Sequence, residues 1–445
     1  MDLDLSKIKR IFFIGIGGIG ISALAKLAHS RGMHVAGIND EESRKTLAPL
    51  RDIGVEILAY PVPTGMPFEL PEADLYVYSD AWIFRGPELI EGARRSEKPV
   101  MSYFEALGEF ARDKKVIAVS GTHGKTTTTA MIADILANAG LDPTVIVGSF
   151  AKNIGSNFRK GEGEYLVVEA DEYNRHFLNF SPWISVITNI ETDHLDYYEG
   201  LEDIQDAFKE FMENTKYRIV YGGKDENTLP VLKGYENQAL DYEKFLSLVP
   251  ALSVPGEHNR SNAAAALAVA SALDLDLEKA KKSLGNFSGT WRRLEKMGES
   301  LAGTIVYDDY AHHPTEIRAT LQALREIYSR SGGKYAKKIT VVFQPHLYSR
   351  TKAFFTEFAE SFGLADLVLV LPIYFAREPE DSSISSEKLT EAIRQNGVRA
   401  ESFIEFTSAE LFVESLNLGK NDVFVSMGAG EAYRVAEKVF PEVQF

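Results

Sequence analysis

The chain has 445 residues, of which 45% are hydrophobic and 25% are charged, as in soluble globular proteins of about two to four domains. Its 48 Lys and Arg residues against 64 Asp and Glu residues leave a net charge of −16. This argues against general binding of nucleic acid, because such proteins present a basic face. The sequence contains no cysteine, so disulfides, thiolate metal sites and cysteine nucleophiles are excluded.

The N-terminal segment resembles a secretory leader in one respect. Basic residues within 7–10 precede an apolar run over 11–21, and small residues over 22–25 could form a cleavage site. The run contains glycines in the spacing of a nucleotide-binding loop, which cleavage would destroy. No later stretch is long and apolar enough to span a membrane. We therefore expect a cytoplasmic protein without membrane insertion.

The first region begins with a predicted strand over 10–14, a glycine loop and a helix that ends near Arg31, followed by strands over 34–38 and 75–78. The spacing G-x-G-x-x-G between a strand and a helix indicates a pyrophosphate-binding loop. Its residues are Gly15, Gly17, Gly18, Ile19 and Gly20.

Asp40 follows the second predicted strand, about where a ribose-binding acid would lie. By itself this arrangement favours a dinucleotide enzyme, and glycine packing of purely structural origin is the alternative. The pattern identifies a pyrophosphate binder better than it identifies which pyrophosphate is bound.

A second glycine loop follows a predicted strand over 116–120 and opens a helix with one apolar face. Lys125 can reach the β- and γ-phosphates of a nucleotide, and the hydroxyl of Thr126 can bind Mg²⁺. The loop is shorter than the usual phosphate-binding pattern, because Val119 stands where the first glycine is expected. The loop residues are Gly121, Thr122, His123, Gly124, Lys125, Thr126 and Thr127.

Acidic and histidine side chains follow the next two predicted strands, over 165–168 and 184–188. Glu169 could hold Mg²⁺ opposite Thr126, because hard cations prefer carboxylate and hydroxyl oxygens together with substrate phosphates; a charged loop end is the alternative. His194 could coordinate a second metal ion, although a lone histidine is more often a satisfied polar residue.

The remainder of the second region is predicted to be irregular over 222–250, helical over 261–273 and a linker over 283–289. The stretch before the helix carries His258, Asn259 and Asn262. Asparagine side chains both donate and accept hydrogen bonds and so suit the edge of adenine. Capping of the helix by Ser261 or Asn262 is the alternative.

The third region has predicted strands over 304–307, 339–343, 367–371 and 423–427, as in another open α/β domain. The helix after the first of these strands carries Ile317, Leu321, Leu324 and Ile327 on one stripe.

Polar stretches end the first two strands of this region, over 308–314 and 343–346. Arg350 follows the second stretch and is a natural carboxylate clamp, with surface solvation as the alternative. Arg292 and Arg293 lie at the entry to the region, where they could reach a γ-phosphate when domains close. Adjacent arginines on a solvated loop are the alternative.

The fold class predicted from these elements is α/β with three domains. We expect residues 1–108 to form a Rossmann-like domain that carries the first glycine loop, 109–288 a central domain of the phosphate-loop ATPase type, and 289–445 a second Rossmann-like domain.

Six motifs in the second and third regions resemble the Mur ligase family of peptidoglycan synthesis. They are GTHGKTTTT at 121–129, EADE at 169–172, TNIETDHLD at 188–196, GEHNRSNA at 256–263, DDYAHHPTE at 308–316 and FQPH at 343–346. Within the family, DDYAHHPTE and FQPH, together with GIGGIGIS at 15–22 in the first region, are most similar to the branch that adds alanine.

The resemblance implies an ATP-dependent ligase acting on UDP-N-acetylmuramate and L-alanine through an acyl phosphate, with Mg²⁺, or Mn²⁺ in its place. Thr126, Glu169 and His194 would bind the metal ions. The first glycine loop would hold the UDP pyrophosphate rather than NAD, with Asp40 and Ser79 nearby. His258, Asn259 and Asn262 would lie at the ATP, with Arg293 near its γ-phosphate.

In the third region the resemblance implies that Asp309, Tyr310, His312 and Arg350 shape the amino-acid site, with Asp309 and Tyr310 also contacting ATP. Lys125, Glu169, His194, His312 and Arg350 would be the catalytic set. Leu347 stands where many members of the branch carry a second arginine, so Arg350 would clamp the amino acid alone.

Three other functions remain as alternatives. The Glu-Ala-Asp-Glu-Tyr stretch at 169–173 is also similar to ligases that recycle murein peptides by attaching a tripeptide to the same acid. The first glycine loop would suit a nicotinamide-dependent oxidoreductase, and a non-catalytic nucleotide-binding module is the third. We expect a monomer or a weak homodimer.

Overall fold

Three open sheets, each with helices, organise the chain in the computed structural model, which describes residues 3–40, 45–60, 69–328, 337–375 and 378–443. All three are mostly parallel, and their strands are therefore rich in buried aliphatic and aromatic residues, because helices cover both faces. The predicted α/β fold with three domains is confirmed.

The first sheet has five parallel strands in the order β3-β2-β1-β4-β5. The strands are β1 (Arg10–Ile14), β2 (His34–Asn39), β3 (Glu56–Ala59), β4 (Leu75–Tyr78) and β5 (Val100–Ser102). The helices are α1 (Ile19–Ser30), α2 (Leu47–Asp52), α3 (Trp82–Arg85), α4 (Pro87–Arg95) and α5 (Tyr103–Ala111). The strand order reverses between β1 and β4, which is where such sheets bind ligands.

The second sheet has seven strands in the order β12-β11-β10-β6-β9-β7-β8, and only β7 and β8 pair antiparallel. The strands are β6 (Lys115–Ser120), β7 (Thr144–Ala151), β8 (Ser156–Arg159), β9 (Tyr165–Glu169), β10 (Ile184–Ile187), β11 (Arg218–Tyr221) and β12 (Ala239–Asp241). The helices are α6 (Lys125–Asn138), α7 (Leu201–Glu213), α8 (Glu257–Ala272) and α9 (Leu277–Gly285).

The third sheet has six strands in the order β13-β14-β18-β15-β16-β17, with β13 antiparallel to β14. The strands are β13 (Glu295–Glu299), β14 (Ile305–Asp309), β15 (Lys338–Phe343), β16 (Leu367–Val370), β17 (Ala400–Ser402) and β18 (Asp422–Met427). The helices are α10 (Pro314–Ile327), α11 (Tyr348–Ala353), α12 (Phe355–Glu360), α13 (Ser386–Gln395), α14 (Phe406–Ser415) and α15 (Tyr433–Val439). Apolar clusters cover both faces of this sheet.

By compactness the chain divides into two units. The first comprises Met1–Glu191, Leu201–Pro250 and Asn262–Phe287 and holds the first two sheets. The second comprises Thr192–Gly200, Ala251–Ser261 and Ser288–Phe445 and holds the third sheet. Within the first unit, Asn157 of β8 donates to the backbone O of Ile19 at 2.6 Å and so docks the second sheet onto the start of α1.

Three sequence predictions about helices are wrong in detail. Helix α8 begins at Glu257, four residues before the predicted start, because the backbone O of Gly256 already accepts from the backbone N–H groups of Asn259 and Arg260. The predicted linker over 283–289 overlaps α9, whose Asp276 caps its N-terminus and whose Leu284 is buried. Ile327 is 41% exposed, because it is the last residue of α10, beyond the part of the stripe that the sheet covers.

Among the described residues, no helix is both long enough and apolar enough to cross a membrane.

Candidate active site

The second glycine loop connects β6 to α6, as predicted. Gly124 has a φ of 83° directly before Lys125, the first residue of α6. A side chain at this position would also overlap Oδ1 of Asn262, so glycine is required on two grounds. The loop brings Lys125 and Thr126 to the N-terminal end of α6, where backbone N–H groups and the helix dipole favour an anion.

The end of β10 holds this loop in place. The hydroxyl of Thr188 donates to the backbone O of His123 at 2.6 Å, and Nδ2 of Asn189 donates to the same oxygen at 3.1 Å. In return, Oδ1 of Asn189 accepts the backbone N–H of His123 at 2.9 Å. Oγ1 of Thr122 accepts the backbone N–H of Glu191 at 2.8 Å. Thr188 and Asn189 belong to the motif at 188–196, but their role in holding the loop was not predicted from the sequence.

The amine of Lys125 folds back onto its own loop and onto an acidic partner. Nζ donates to the backbone O of Gly121 at 2.6 Å and pairs with Oε1 of Glu172 at 2.8 Å. Burial alone would lower the pKa of Lys125, but Glu172 and Asp171 outweigh it and raise the pKa. The amine is therefore charged, and Glu172 is a site residue that sequence reasoning missed.

Glu169 ends β9, the strand next to the loop-bearing β6. In the parallel pairing it lies opposite Val119, one residue before β6 ends. Its Oε2 accepts the backbone N–H of Gly148 in β7 at 2.9 Å. Thr126 lies buried in the first turn of α6, followed by the equally buried Thr127. The sheet thus brings Glu169 and the phosphate loop to one edge.

The first glycine loop follows β1 and leads into α1. Gly15 has a φ of 82°, and a side chain there would overlap the indole of Trp82 in α3. The backbone N–H of Gly17 donates to Oδ1 of Asn39 at 3.0 Å. Gly18 precedes α1, and Ile19 and Gly20 form its first turn.

Asp40 and Ser79 follow β2 and β4, the two strands that flank β1, so both lie at the same sheet edge as the first loop. Asp40 pairs with Arg85 of α3 at 2.9 Å. The backbone N–H of Ser79 donates to the backbone O of Ile14 at 3.0 Å. This edge is where an open parallel sheet binds its ligand.

The predicted adenine segment lies inside α8. Because α8 starts at Glu257, neither Ser261 nor Asn262 caps it, and that alternative is wrong. Asn262, in the first unit, contacts the phosphate loop at Gly124. In the second unit, Nδ2 of Asn259 donates to the backbone O of Pro255 at 2.7 Å, and the ring of His258 packs against Gly256.

Arg350 is buried in the second unit and already holds a carboxylate. Its Nε and Nη2 donate to Oδ1 of Asp193 at 3.1 and 3.0 Å, and Nη1 lies 3.3 Å from Nδ1 of His346. Burial would raise the pKa of Asp193, but Arg350 outweighs burial and holds that pKa far below its usual range. Asp193 is a second partner missed in the sequence. Leu347 is buried before α11 with a φ of 70°.

His312 lies next to this ion pair in the second unit. Its Nδ1 lies 2.9 Å from the backbone O of Tyr310 and 3.3 Å from Oε2 of Glu316. Burial lowers the pKa of His312 to about 4, with Glu316 acting in the opposite direction and Arg350 in the same direction. The imidazole is therefore neutral at pH 7, and the bond to Tyr310 places its proton on Nδ1.

The carboxylate of Asp309 accepts hydrogen bonds from residues of the same unit. Its Oδ2 accepts from the backbone N–H of Leu294 at 2.9 Å and from the hydroxyl of Thr320 at 2.9 Å. Its Oδ1 accepts the backbone N–H of Ala311 at 2.7 Å. Burial raises the pKa of Asp309 to about 6. These bonds order the loop that carries Tyr310, whose ring lies 5.2 Å from the guanidinium carbon of Arg293.

The two adjacent arginines at the entry to the third sheet differ in their surroundings. Arg292 is buried, with Nε 2.8 Å from Oδ2 of Asp308 and Nη2 donating to the backbone O of Gly428 at 2.7 Å. Arg293 is 30% exposed and lies 3.7 Å from Glu316. The guanidinium of Arg292 is therefore used in buried contacts that stabilise the fold. Of the two arginines, only Arg293 is exposed enough to bind a ligand.

Replacing Arg292 with alanine should lower the free energy of unfolding by about 3–5 kcal/mol, because Asp308 would stay buried without its cation. Replacing Arg293 with alanine should change it by less than about 0.5 kcal/mol. Urea unfolding of the two variants measures both values. Equal losses would contradict the distinction between them.

His194 lies in the second unit, whereas Thr126 and Glu169, the other predicted metal ligands, lie in the first. It has a φ of 53°, which is uncommon for a residue other than glycine. Its backbone N–H donates to Oδ1 of Asp193 at 2.7 Å, the same oxygen that Arg350 holds. The Asp193–Arg350 pair therefore supports the turn that presents His194.

Three family models match the chain in succession. They are "Mur ligase family, catalytic domain" over residues 10–115, "Mur ligase middle domain" over 119–245 and "Mur ligase, glutamate ligase domain" over 292–430.

Curated proteins resemble the chain over nearly its whole length. It is 39% identical to the UDP-N-acetylmuramate--L-alanine ligase of Desulforapulum autotrophicum, over 96% of this chain and 97% of that protein. It is 38% identical to the protein of the same name from Caldanaerobacter subterraneus subsp. tengcongensis, over 99% of each.

Solved structures agree. The UDP-N-acetylmuramate-alanine ligase of Thermotoga maritima matches with a TM-score of 0.78 and 30% identity, over 98% of this chain and 99% of that one. A murein peptide ligase from Psychrobacter arcticus shares the fold, with a TM-score of 0.68 and 23% identity over 97% and 98% of the two chains. On these matches and on the two loops and strand-end acids described above, the chain belongs to the Mur ligase family.

Proposed function

We propose that this chain joins L-alanine to the carboxylate of UDP-N-acetylmuramate and converts ATP to ADP and phosphate, as a step in the synthesis of peptidoglycan precursors. The observation that carries the proposal is the identity of 37–39% with curated alanine ligases over almost the full chain, combined with an intact phosphate loop. The family resemblance assigns the substrates, the ATP and the metal to the site, and the chemistry of the site residues is compatible with them.

The reaction has two steps. A carboxylate oxygen of the sugar nucleotide attacks the γ-phosphorus of ATP, which forms an acyl phosphate and releases ADP. The alanine amine then attacks the acyl carbon, and the tetrahedral intermediate expels phosphate with the original carboxylate oxygen. Each step builds negative charge on phosphoryl or acyl oxygens, which fixed cationic groups stabilise.

The phosphate loop supplies the first of these groups. Lys125 is held charged by Glu172, and ATP phosphates at the start of α6 would meet its amine and the backbone N–H groups of Gly124 and Thr126. The family resemblance assigns Arg293 as a second cation near the γ-phosphate. Asn262, His258 and Asn259 would border the nucleotide, with Tyr310 at its edge.

The residues at this edge also fit a hard divalent cation. A hydroxyl at Thr126 and a carboxylate at Glu169, together with substrate phosphates, form an oxygen donor set suited to Mg²⁺, or to Mn²⁺ in its place. His194 would be a ligand to a second ion. Such an ion supplies Lewis-acid stabilisation of phosphoryl charge.

We assign the binding of L-alanine to Arg350 and His312. A guanidinium has five N–H donors, and three of those of Arg350 face Asp193 and His346. The other two have no partner among the described residues and can bind the carboxylate of alanine. The neutral His312 keeps Nε2 as an acceptor that can orient the incoming amine.

The sugar nucleotide would occupy the edge of the first sheet. Its pyrophosphate would lie against Gly15, Gly17, Gly18, Ile19 and Gly20 at the start of α1, with Asp40 and Ser79 on either side. We further propose that the three sheets correspond to domains 1–108, 109–288 and 289–445, and that the protein is a monomer or a weak homodimer.

Phosphate release with ATP, Mg²⁺, UDP-N-acetylmuramate and one amine at a time tests the proposal. L-Alanine should give faster release than glycine, L-serine or the tripeptide L-Ala-γ-D-Glu-diaminopimelate. UDP-N-acetylglucosamine, which lacks the carboxylate, should give none. Faster release with the tripeptide would instead assign the chain to the peptide-recycling ligases. Thermal stabilisation by NADH but not by ATP would assign it to the oxidoreductases.

A further inference from the structure

A buried histidine joins the two sheets of the first unit. Nε2 of His176 lies 2.8 Å from Oδ2 of Asp80, and Nδ1 lies 3.5 Å from Oδ2 of Asp171. The ring stacks on Phe104 of α5, with centroids 3.8 Å apart and planes 13° apart. The side chain is only 8% exposed. His176 therefore lies between two carboxylates that come from the ends of different sheets.

The backbone before His176 is shaped to make this contact. Asn174 and Arg175 have φ values of 52° and 54° within the 3-10 segment Tyr173–Asn179. Arg175 is tied to Asp203 of α7 at 2.7 Å, and Phe177 is fully buried against the aromatic residues of α7. A strained backbone held by its neighbours on both sides is commonly found where a side chain has a positional task.

On one side, His176 reaches the sugar-nucleotide edge. Asp80 follows Ser79 at the end of β4 and begins the turn into α3, since the backbone N–H of Ile83 donates to the O of Asp80 at 3.1 Å. The next residue but one, Trp82, packs against Gly15 of the first loop. The turn over 79–82 therefore forms one wall of the first glycine loop.

On the other side, the anchor is the acidic end of β9. Asp171 adjoins Glu172, which pairs with Lys125 of the phosphate loop. Backbone hydrogen bonds hold this segment on both sides of Asp171: the backbone N–H of Ala170 donates to the O of Val119 at 2.8 Å, and the backbone N–H of Phe177 donates to the O of Asp171 at 2.9 Å.

We propose that His176 is a positioning residue for the sugar nucleotide: it fixes the turn over 79–82 by tying Asp80 to the acidic end of β9. This inference rests on the proposed function. Without the tie, the wall formed by Trp82 is free to move away from the glycine loop, and the loop meets the pyrophosphate in a less ordered state. Ordering the site before binding reduces the cost of binding.

A positive charge on His176 strengthens its contacts with Asp80 and Asp171. Among the residues that the structure describes, the charged groups in contact with the ring are Asp80 and Asp171, while Phe104, Tyr173 and Asn174 provide neutral contacts. Burial would lower the pKa of His176, but the two carboxylates raise it from 6.5 to about 9. A group whose pKa rises on folding stabilises the fold fully below pH 6.5 and loses this effect as the pH rises through about 9.

The test compares His176→Gln, Asp80→Asn and the double variant. The control is Asp113→Asn, which removes an exposed carboxylate 3.2 Å from Arg31 at the other end of β6. Each single substitution should raise the Kd of UDP-N-acetylmuramate, measured by calorimetry, and its KM about tenfold. The value of kcat at saturation should stay within about twofold. The double variant should bind UDP-N-acetylmuramate no more weakly than the single variant with the higher Kd. The Kd of the control variant should equal that of the unmodified chain.

Kd values within about twofold of the unmodified chain, or fully additive losses in the double variant, would overturn the inference. Asp80→Asn alters a partly exposed side chain, so it probes the contact even if the buried ring does not tolerate replacement. If the unmodified chain failed to bind UDP-N-acetylmuramate, the proposed function itself would be wrong. If it bound normally and the variants did too, only the inference about His176 would be wrong.

Discussion

Replacing Lys125 with alanine is expected to reduce ATP-dependent phosphate release by about a thousandfold or more. The amine is the cation that the phosphate loop contributes, and Glu172 keeps it charged. Steady-state assays with saturating UDP-N-acetylmuramate and L-alanine measure the loss. Lys160→Ala is the matched control, because Lys160 is 54% exposed and pairs only with the exposed Glu162 among the contacts described.

A loss of activity through unfolding has to be separated from a loss of catalysis. Lys125→Ala leaves Glu172 buried without its cation, and this alone is expected to destabilise the fold by about 3–5 kcal/mol. Adding Glu172→Gln removes the stranded charge. The double variant should therefore recover much of the stability and remain inactive. Activity near that of the unmodified chain in either variant would refute the assignment of the ATP site.

Replacing Arg350 with lysine is expected to raise the KM for L-alanine about a hundredfold. Lysine keeps a positive charge near Asp193 but lacks the planar fork, so it cannot hold Asp193 and a substrate carboxylate at the same time. The KM for ATP should change little. Varying L-alanine at fixed ATP and UDP-N-acetylmuramate measures the effect.

Arg325 offers a matched control in the same unit. It is also a buried arginine, with Nη2 2.7 Å from Asp366 and Nε donating to the backbone O of Leu364 at 2.7 Å. Arg325→Lys should cost comparable stability but leave the KM for L-alanine unchanged. Equal KM changes in both variants, or none in Arg350→Lys, would remove Arg350 from the amino-acid site.

The sequence predicted best those features that depend on neighbours along the chain. A strand, a glycine loop and a helix follow one another at Lys115–Ser120 and Lys125–Asn138, and apolar periodicity marks each of them. Glu169 could be placed at the edge of the phosphate loop because parallel strands bring their carboxyl ends together. These features can be predicted without knowing which residues distant in the chain are in contact.

The partners of the site residues could not be predicted in the same way. Asp193 and Arg350 are 157 residues apart in the chain, and nothing local marks Asp193 among the polar residues around it. The sequence has three carboxylates between 169 and 172, and only the fold shows that Glu172 is the one that pairs with Lys125. The tie from His176 to Asp80 likewise joins two sheets, so no single motif contains it.

The ends of helices were also poorly predicted from the sequence. The residues over 256–262 include both capping and helix-forming residues, and contacts of Asn262 with the phosphate loop accompany an earlier start of α8. Conversely, α9 extends into the predicted linker because its apolar residues bury against α6. Packing therefore decided both boundaries over local propensity.

The fate of the carboxylate oxygen tests the account most directly. UDP-N-acetylmuramate with isotopically labelled carboxylate oxygen would be incubated with ATP, Mg²⁺ and L-alanine, and the phosphate and sugar nucleotide analysed by mass spectrometry. We predict that one labelled oxygen appears in phosphate for each UDP-N-acetylmuramoyl-L-alanine formed. Unlabelled phosphate, or a sugar nucleotide that gains no alanine, would contradict the account.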